Sequence, residues 1–341
     1  MASPESRPGS WRSAGFQPAH GVGGAVPAVA GWGFTHFLAQ YHRPLNMAAD
    51  AEFGRPEPAG SRRSNSRAAT APRRRLIVNA DDFGRSHSIN EAVIAAHREG
   101  ILTTASLMVN GDACAEAVEL ARQNPRLGVG LHLSLVCGRA ALSAREIPGL
   151  VNAAGEFSND PVGVGFRYFA RRDLRPQLRA EIRAQFAKFR ATELPLDHVN
   201  GHLNLHLHPT VFRLLLEVET DLRHVRVTRD PFWLNARLAR GQWFYRVSHA
   251  IIFLLLSARA RPCLRARGIR HTRFVFGLLQ NARVDEAYIR ALLPVLPAGD
   301  SELYSHPSLN EFRPEYEALI SPAVKRAVVE QSIELIRYQD L

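Results

Sequence analysis

The sequence predicts an α/β fold, an irregular, TIM-barrel-like (β/α) barrel of about seven strands. Three observations lead there. From residue 75 onward, short apolar, β-favouring runs alternate with stretches of helical period, which argues for parallel βαβ units. About seven such runs fall within residues 73–341, which suits a closed barrel better than an open sheet. The polar residues that interrupt these runs collect at their C-terminal ends, the rim on which barrels of this kind build active sites.

In chain order, LIVN (76–79) is the first strand, stopped by the turn signal Ala80-Asp81-Asp82-Phe83-Gly84. Ser88, with Glu91 three residues on, reads as a capping box opening a helix over 89–98 that Gly100 closes. The pattern repeats: a strand over 103–110, a helix over 112–123 and a strand over 127–135. A loop holding Pro148, Gly149 and Gly155 leads to a helix over 176–189. LDHVN (196–200) reads as a strand, 210–219 as a helix and HVRVT (224–228) as another strand. RFVFG (273–277), a helix over 285–293, the strand ELYS (302–305) and one last helix over 314–338 complete the series.

Residues 1–72 differ from this. They are rich in Gly, Pro, Ala, Ser and Arg, show no sustained period and end in SRRSNSRAATAPRRR. The expectation is a disordered basic tail, with Met47 a candidate for the true start. The GVGGAVPAVAGWGF stretch is broken by Gly and Pro and does not read as a signal peptide. Residues 73–341 then form the single barrel domain.

The formal net charge is +11, but it comes from 41 arginines and only two lysines, Lys188 and Lys325. Such a bias is as easily compositional as it is a recognition surface, and no Walker loop or zinc finger accompanies it. Nucleic acid is therefore not an expected partner. Three scattered cysteines, Cys114, Cys137 and Cys263, make no disulfide framework and no CxxC site, so a cytoplasmic, reducing compartment is expected. No uninterrupted apolar run approaches the roughly 20 residues of a membrane span; the longest is AIIFLLL (250–256).

Chemistry-bearing residues cluster at the strand ends. Asp81 and Asp82 follow the first strand, His132 interrupts GVGLHLSL, Asp197, His198, His202, His206 and His208 crowd DHVNGHLNLHLHP, and His306 follows ELYS. Taken singly, each has an ordinary explanation. An Asp-Asp pair after a strand serves turns and caps, and a single strand histidine is usually a hydrogen-bonded core residue. Taken together, one or two carboxylates and two imidazoles at strand C-termini make a three-ligand divalent metal site with open positions for water.

NADDFG (79–84), GLHLSL (130–135), DHVNGHLNLHLHP (197–209) and ELYSHP (302–307), in that order, resemble the YdjC-like carbohydrate deacetylase family over residues 73–340. The phrasing of LIVNADDFGRSHSINEAV and NGHLNLHLHPTV is most similar to the hopanoid biosynthesis-associated deacetylases. The resemblance implies a metal-dependent hydrolase of N-acetyl groups on sugars. For the hopanoid branch it implies an N-acetylglucosaminyl group carried on a lipid. It further implies Asp82, His132 and His202 as metal ligands, Asp81 as general base and His306 as general acid. Asp197 and His206 would lie behind them or against the substrate, with Asp197 fixing the tautomer of a ligand histidine. Asn204 departs from the family, whose members often carry His there. Magnesium and zinc are the leading candidates for the ion.

Two further readings compete. One keeps the barrel but takes a soluble N-acetylated oligosaccharide such as a chitin fragment. The other is a non-catalytic basic protein that binds membrane or nucleic acid. The stretch from Pro231 to Arg261, with its aromatics and AIIFLLL flanked by arginines, reads most simply as a buried barrel helix with a loop. The alternative is a surface for peripheral contact with anionic lipid at the inner membrane.

Overall fold

The computed structural model describes residues 73–341; the expected tail over 1–72 and the Met47 start lie outside them. The first strand, β1 (Arg74–Phe83), is longer than LIVN and carries Asp81 and Asp82 inside its end rather than in a turn beyond it. The sheet continues with β2 (Thr104–Leu107), β3 (Gly128–Leu133) and, after the small antiparallel pair β4 (Gly138–Arg139) and β5 (Glu156–Phe157), with β6 (Leu196–Gly201). β7 (Phe274–Phe276), β8 (Gly299–Ser305) and β9 (Ile333–Leu335) follow. The order is β6-β3-β2-β1-β8-β7, parallel throughout, with β9 added beside the N-terminal half of β1.

Closure between β6 and β7 is made by single bridges rather than a ladder. The expected strand 224–228 forms only isolated pairs, Val199 with Val225 and His224 with Arg270. Backbone bonds from Val199 N to His224 O, Arg226 N to Val199 O and Val275 N to Arg229 O carry the sheet around. The result is the expected irregular barrel.

Its helices cover the outside: α1 (His87–Glu99), α2 (Cys114–Arg122), α3 (Pro161–Ala170), α4 (Arg175–Arg190), α5 (Pro209–Val218), α6 (Phe232–Leu238), α7 (Trp243–Ala266), α8 (Glu286–Leu292), α9 (Arg313–Ile320) and α10 (Pro322–Glu330). Alternation explains the packing. Leu76, Val78 and Ala80 of β1 and Val129, Leu131 and Leu133 of β3 join the apolar layer under the helices, and the residues between them turn inward.

Three expectations are corrected. The cap of α1 is Ser86, whose hydroxyl accepts from Ile89 N at 3.4 Å; Ser88 instead accepts from Leu309 N at 3.1 Å, tying α1 to the loop after β8. The single last helix is two, because Ser321 leaves the helical region and caps α10 through Ala323 N and Val324 N, with Pro322 at its first turn. The chain beyond α10 is β9 and a short 3₁₀ turn over Tyr338–Asp340, which plugs the barrel floor with Ile336 and Tyr338 against Ile77.

The third correction concerns α7. It is not a buried barrel helix: only Arg246, Phe253, Ser257, Ala260 and Leu264 are buried, one stripe at helical spacing. Thr228 anchors that stripe, its hydroxyl 3.3 Å from Ser257 Oγ. By length and composition alone, α7 is the one described helix long and apolar enough to cross a membrane, which the broken apolar run in the sequence did not foretell.

Candidate metal centre

Two bulges decide which side chains enter the barrel. Ala80 stands opposite Ala105 but Phe83 opposite Leu107, so β1 holds one residue more than β2 across that step. In a regular strand Asp81 and Asp82 would face opposite sides. With the extra residue, and Asp82 at φ +64°, both carboxyls are buried in the interior. β6 does the same against β3: Val129 pairs with Leu196 but Leu131 with Val199, which brings Asp197 and His198 in together. Gly130 makes room, since a Cβ there would sit 2.5 Å from His198 Cε1.

Asp82, His132 and His202 meet at the C-terminal ends of β1, β3 and β6. Asp82 Oδ1 is 3.3 Å from His132 Nε2 and 3.1 Å from His202 Nδ1, and the three donor atoms all lie within 4.8 Å of one another. Arg85 Nη1 holds the other oxygen, Oδ2, at 3.0 Å. His202 is the most exposed of the three, so the site opens on its side. The two residues after it, Leu203 and Asn204, are both left-handed at φ +51° and +57°. This tight turn lets His202 and His206 both point inward.

The donor set fits a divalent cation. His132 Nδ1 lies 2.8 Å from Asn200 Oδ1. The Asn200 amide nitrogen donates to Asp81 Oδ1 at 2.9 Å and Ser106 Oγ at 2.8 Å, so its oxygen must accept. His132 therefore carries its proton on Nδ1 and presents a lone pair on Nε2, a buried atom with no hydrogen-bond partner. That lone pair faces a carboxylate oxygen, and the two repel unless a proton or a cation lies between them. Burial opposes charging the imidazoles, yet Asp81 and Asp82 outweigh it at His132, and Asp82 at His202, so both are raised. Burial would likewise raise Asp82, but His202 and His132 hold it well below the ordinary carboxylate range.

Asp81 sits one step deeper. Arg226 grips it at both oxygens, Nη1 to Oδ2 at 2.7 Å and Nη2 to Oδ1 at 2.9 Å. Oδ1 also accepts from Asn79 and Asn200, whereas Oδ2 has Arg226 alone. Burial pushes this carboxyl up, but the Arg226 guanidinium, then His132, overcome it and keep Asp81 ionised well below its usual range. Arg226 is neutralised on its other edge by Glu302, at 2.6 Å, and Tyr338 closes the network with a hydrogen bond to Glu302.

His306 lies near enough to Asp81 to help hold it ionised. Tyr304 OH donates to Asn281 Oδ1 at 2.9 Å and so accepts from His306 Nε2 at 3.0 Å, which leaves Nδ1 of His306 as a buried atom without a partner. His206 is no ligand: its Nε2 binds the Arg226 carbonyl at 3.0 Å, and burial pulls its pKa down to about 3. The expected part for Asp197 is corrected. Its carboxylate binds His198 Nδ1 at 2.9 Å and the backbone of Gln339, at the floor of the barrel. Asn200 is what fixes the tautomer of His132. Asp197 reaches the centre only through His198, whose Nε2 is 2.9 Å from Ser106 Oγ.

Sequence reasoning missed Arg226, Asn200, Ser106, Asn79 and Glu302. Their common signal is a polar residue two positions from another inside an apolar run, as in Asn79/Asp81, Thr104/Ser106 and His198/Asn200, or a lone charge between valines, as at Arg226.

A "Carbohydrate deacetylase" of Brevibacillus brevis is 38% identical over 149 residues, 44% of this chain and 57% of that protein. One of Geobacillus stearothermophilus is 37% identical over 161 residues, 46% and 62%. The chain thus spans about three fifths of these relatives, while it aligns with all of a Clostridium beijerinckii carbohydrate deacetylase at 28% identity, over 78% of its own length. A crystal structure of an Enterococcus faecalis protein named for cellobiose-phosphate cleavage shares the fold, with a TM-score of 0.60 and 23% identity over 79% of this chain and 98% of that one. Residues 75–330 match the family described as YdjC-like protein, and the chain belongs to it.

Proposed function

We propose that this protein removes the acetyl group from an N-acetylated sugar by hydrolysis, releasing acetate and the free amine. The observation that carries the reading is the unpartnered His132 Nε2 facing Asp82 and His202, beside the separate, ionised Asp81. Asp82, His132 and His202 would hold a divalent cation, magnesium or zinc. When bound, it supplies Lewis acidity, polarising the acetyl carbonyl and acidifying water. Asp81 is the base that receives the water's proton, through Oδ2, its less occupied oxygen. A carboxylate held this low is a poor base by itself, so it serves to orient and accept only where the water is already acidified. His306, whose Nε2–H is held by Tyr304, is the acid: as the imidazolium it gives its second proton, on Nδ1, to the leaving nitrogen and is left neutral.

The substrate we favour is an N-acetylglucosaminyl group on a hopanoid lipid, met by a cytoplasmic enzyme at the inner membrane. Support comes from the NGHLNLHLHPTV phrasing and from relatives named as carbohydrate deacetylases. Incubation with that glycolipid and with diacetylchitobiose, with and without chelator, tests this by mass spectrometry and acetate release. Exchange of acetyl for hydrogen on the lipid alone is the expected result. Exchange on chitobiose alone would assign the soluble substrate, and chelator-insensitive turnover would remove the metal from the proposal.

A further inference from the structure

The structure assigns the exposed side of α7 as a docking face for an anionic lipid bilayer. Phe244 is 89% exposed, Trp243 53%, Leu254 58%, and Val247, Ile251, Ile252 and Leu255 between 43% and 50%. Trp233, on the preceding helix α6, is 77% exposed. The α7 residues among them cover about half the circumference of the helix, opposite and beside its buried stripe, a contiguous apolar face turned to solvent.

Charge says what covers it. Between Asp230 and Asp285 the chain carries ten arginines and no Asp or Glu. Arg237 and Arg240 precede the apolar stretch and Arg265 and Arg267 follow it, all four exposed. An apolar segment bracketed by cations, with Trp and Phe at one end, has the layout of an interfacial helix. The rings and aliphatic chains enter the acyl boundary while the guanidinium groups meet lipid phosphates. A protein partner for such a surface would need an acidic rim; a bilayer of phosphatidylglycerol or cardiolipin supplies one everywhere.

The face adjoins the metal centre. Phe232, Ala250 and Phe253 pack with Tyr304, the residue that fixes His306. The aromatic end of α7 therefore borders the rim on which a lipid-borne sugar would be presented. The inference extends the lipid-linked substrate reading but rests on separate observations, and its test needs neither substrate nor metal.

Flotation of the full chain with phosphatidylcholine vesicles, with and without an equal share of phosphatidylglycerol, is the test. Anionic vesicles should bind at least about tenfold more tightly than neutral ones, as several surface arginines require. The variant F244S/L254S should lose that binding while keeping the parent's melting temperature, and R237E/R240E should weaken it about tenfold. Because both variants retain residues 1–72, any attraction due to that segment stays constant. Equal flotation of parent and F244S/L254S overturns the proposal. So does a lipid-independent dimer that F244S/L254S dissolves, or flotation that survives carbonate extraction, which would make α7 a span. Acetate release from a soluble N-acetyl sugar without flotation would sink the docking face and leave the proposed chemistry standing.

Discussion

Arg226 is the residue on which the polar interior turns. It is fully buried between Asp81 and Glu302, and replacing it with Met would leave two carboxylates without a cation. Removing one partner from a buried ion network costs about 3–5 kcal/mol, so R226M should lose that much in urea unfolding at neutral pH; a loss under about 1 kcal/mol would show that the network does not hold the barrel. Asn200 acts more quietly. Without its oxygen, His132 is free to adopt the other tautomer, and N200A should weaken divalent-ion binding roughly 10–100-fold in a competition titration. Unchanged affinity would mean that the tautomer is set elsewhere. D81N separates binding from chemistry: the three ligands stay, so the ion should still bind, while acetate release should fall to background. Turnover close to the parent's would exclude Asp81 as the base.

Elements differ in how much of them the sequence reveals. The strands are readable where apolar residues recur at every second position, as at Leu76, Val78 and Ala80 of β1 and Val129, Leu131 and Leu133 of β3, and the helix faces of α4, α5 and α8 follow from their period. The bulges are not readable. Nothing in NADDFG or LDHVN states that one extra residue will turn neighbouring carboxyl and imidazole groups to the same side. The last helix misled because its apolar period runs across Ser321-Pro322, where backbone geometry and a hydroxyl cap override it. That break is testable. S321A removes the acceptor for Ala323 N and Val324 N and should cost about 1 kcal/mol in chemical unfolding. A neutral result would mean that Pro322 alone sets the break. α7 was misjudged for a related reason: a periodic apolar run says which side packs, but not that a face turned to solvent is apolar as well.

For the whole molecule, alternation of strand and helix was enough to place Asp82, His132 and His202 on one rim, because a parallel barrel gathers its strand ends there. The floor was invisible, since β9 is only three residues long beside β1, and Tyr338 acts through a hydrogen bond to Glu302 and a ring stacked 4.4 Å from His198. The interior that results buries titratable groups of opposite tendency, and pH should show them separately. Burial lowers His206 from 6.5 to about 3, so between those values the unfolded chain binds a proton that the folded one refuses. Stability from this group is complete above pH 6.5 and falls by about 1.4 kcal/mol per unit as pH drops below it. Burial raises Asp230 from 3.8 to about 7, so the folded chain holds a proton that the unfolded one releases, and this group costs stability as pH climbs from 3.8 to 7. The ligands His132 and His202, raised in the metal-free protein, add no slope below pH 6.5 because both states are then protonated. Urea unfolding of H206Q in chelator should therefore approach or exceed the parent as pH falls from 6.5 to 4.5. D230N should gain on the parent as pH rises from 4.5 to 7.5. The two difference curves must have opposite slopes; two flat curves would mean that neither group is shut away from water in the folded barrel.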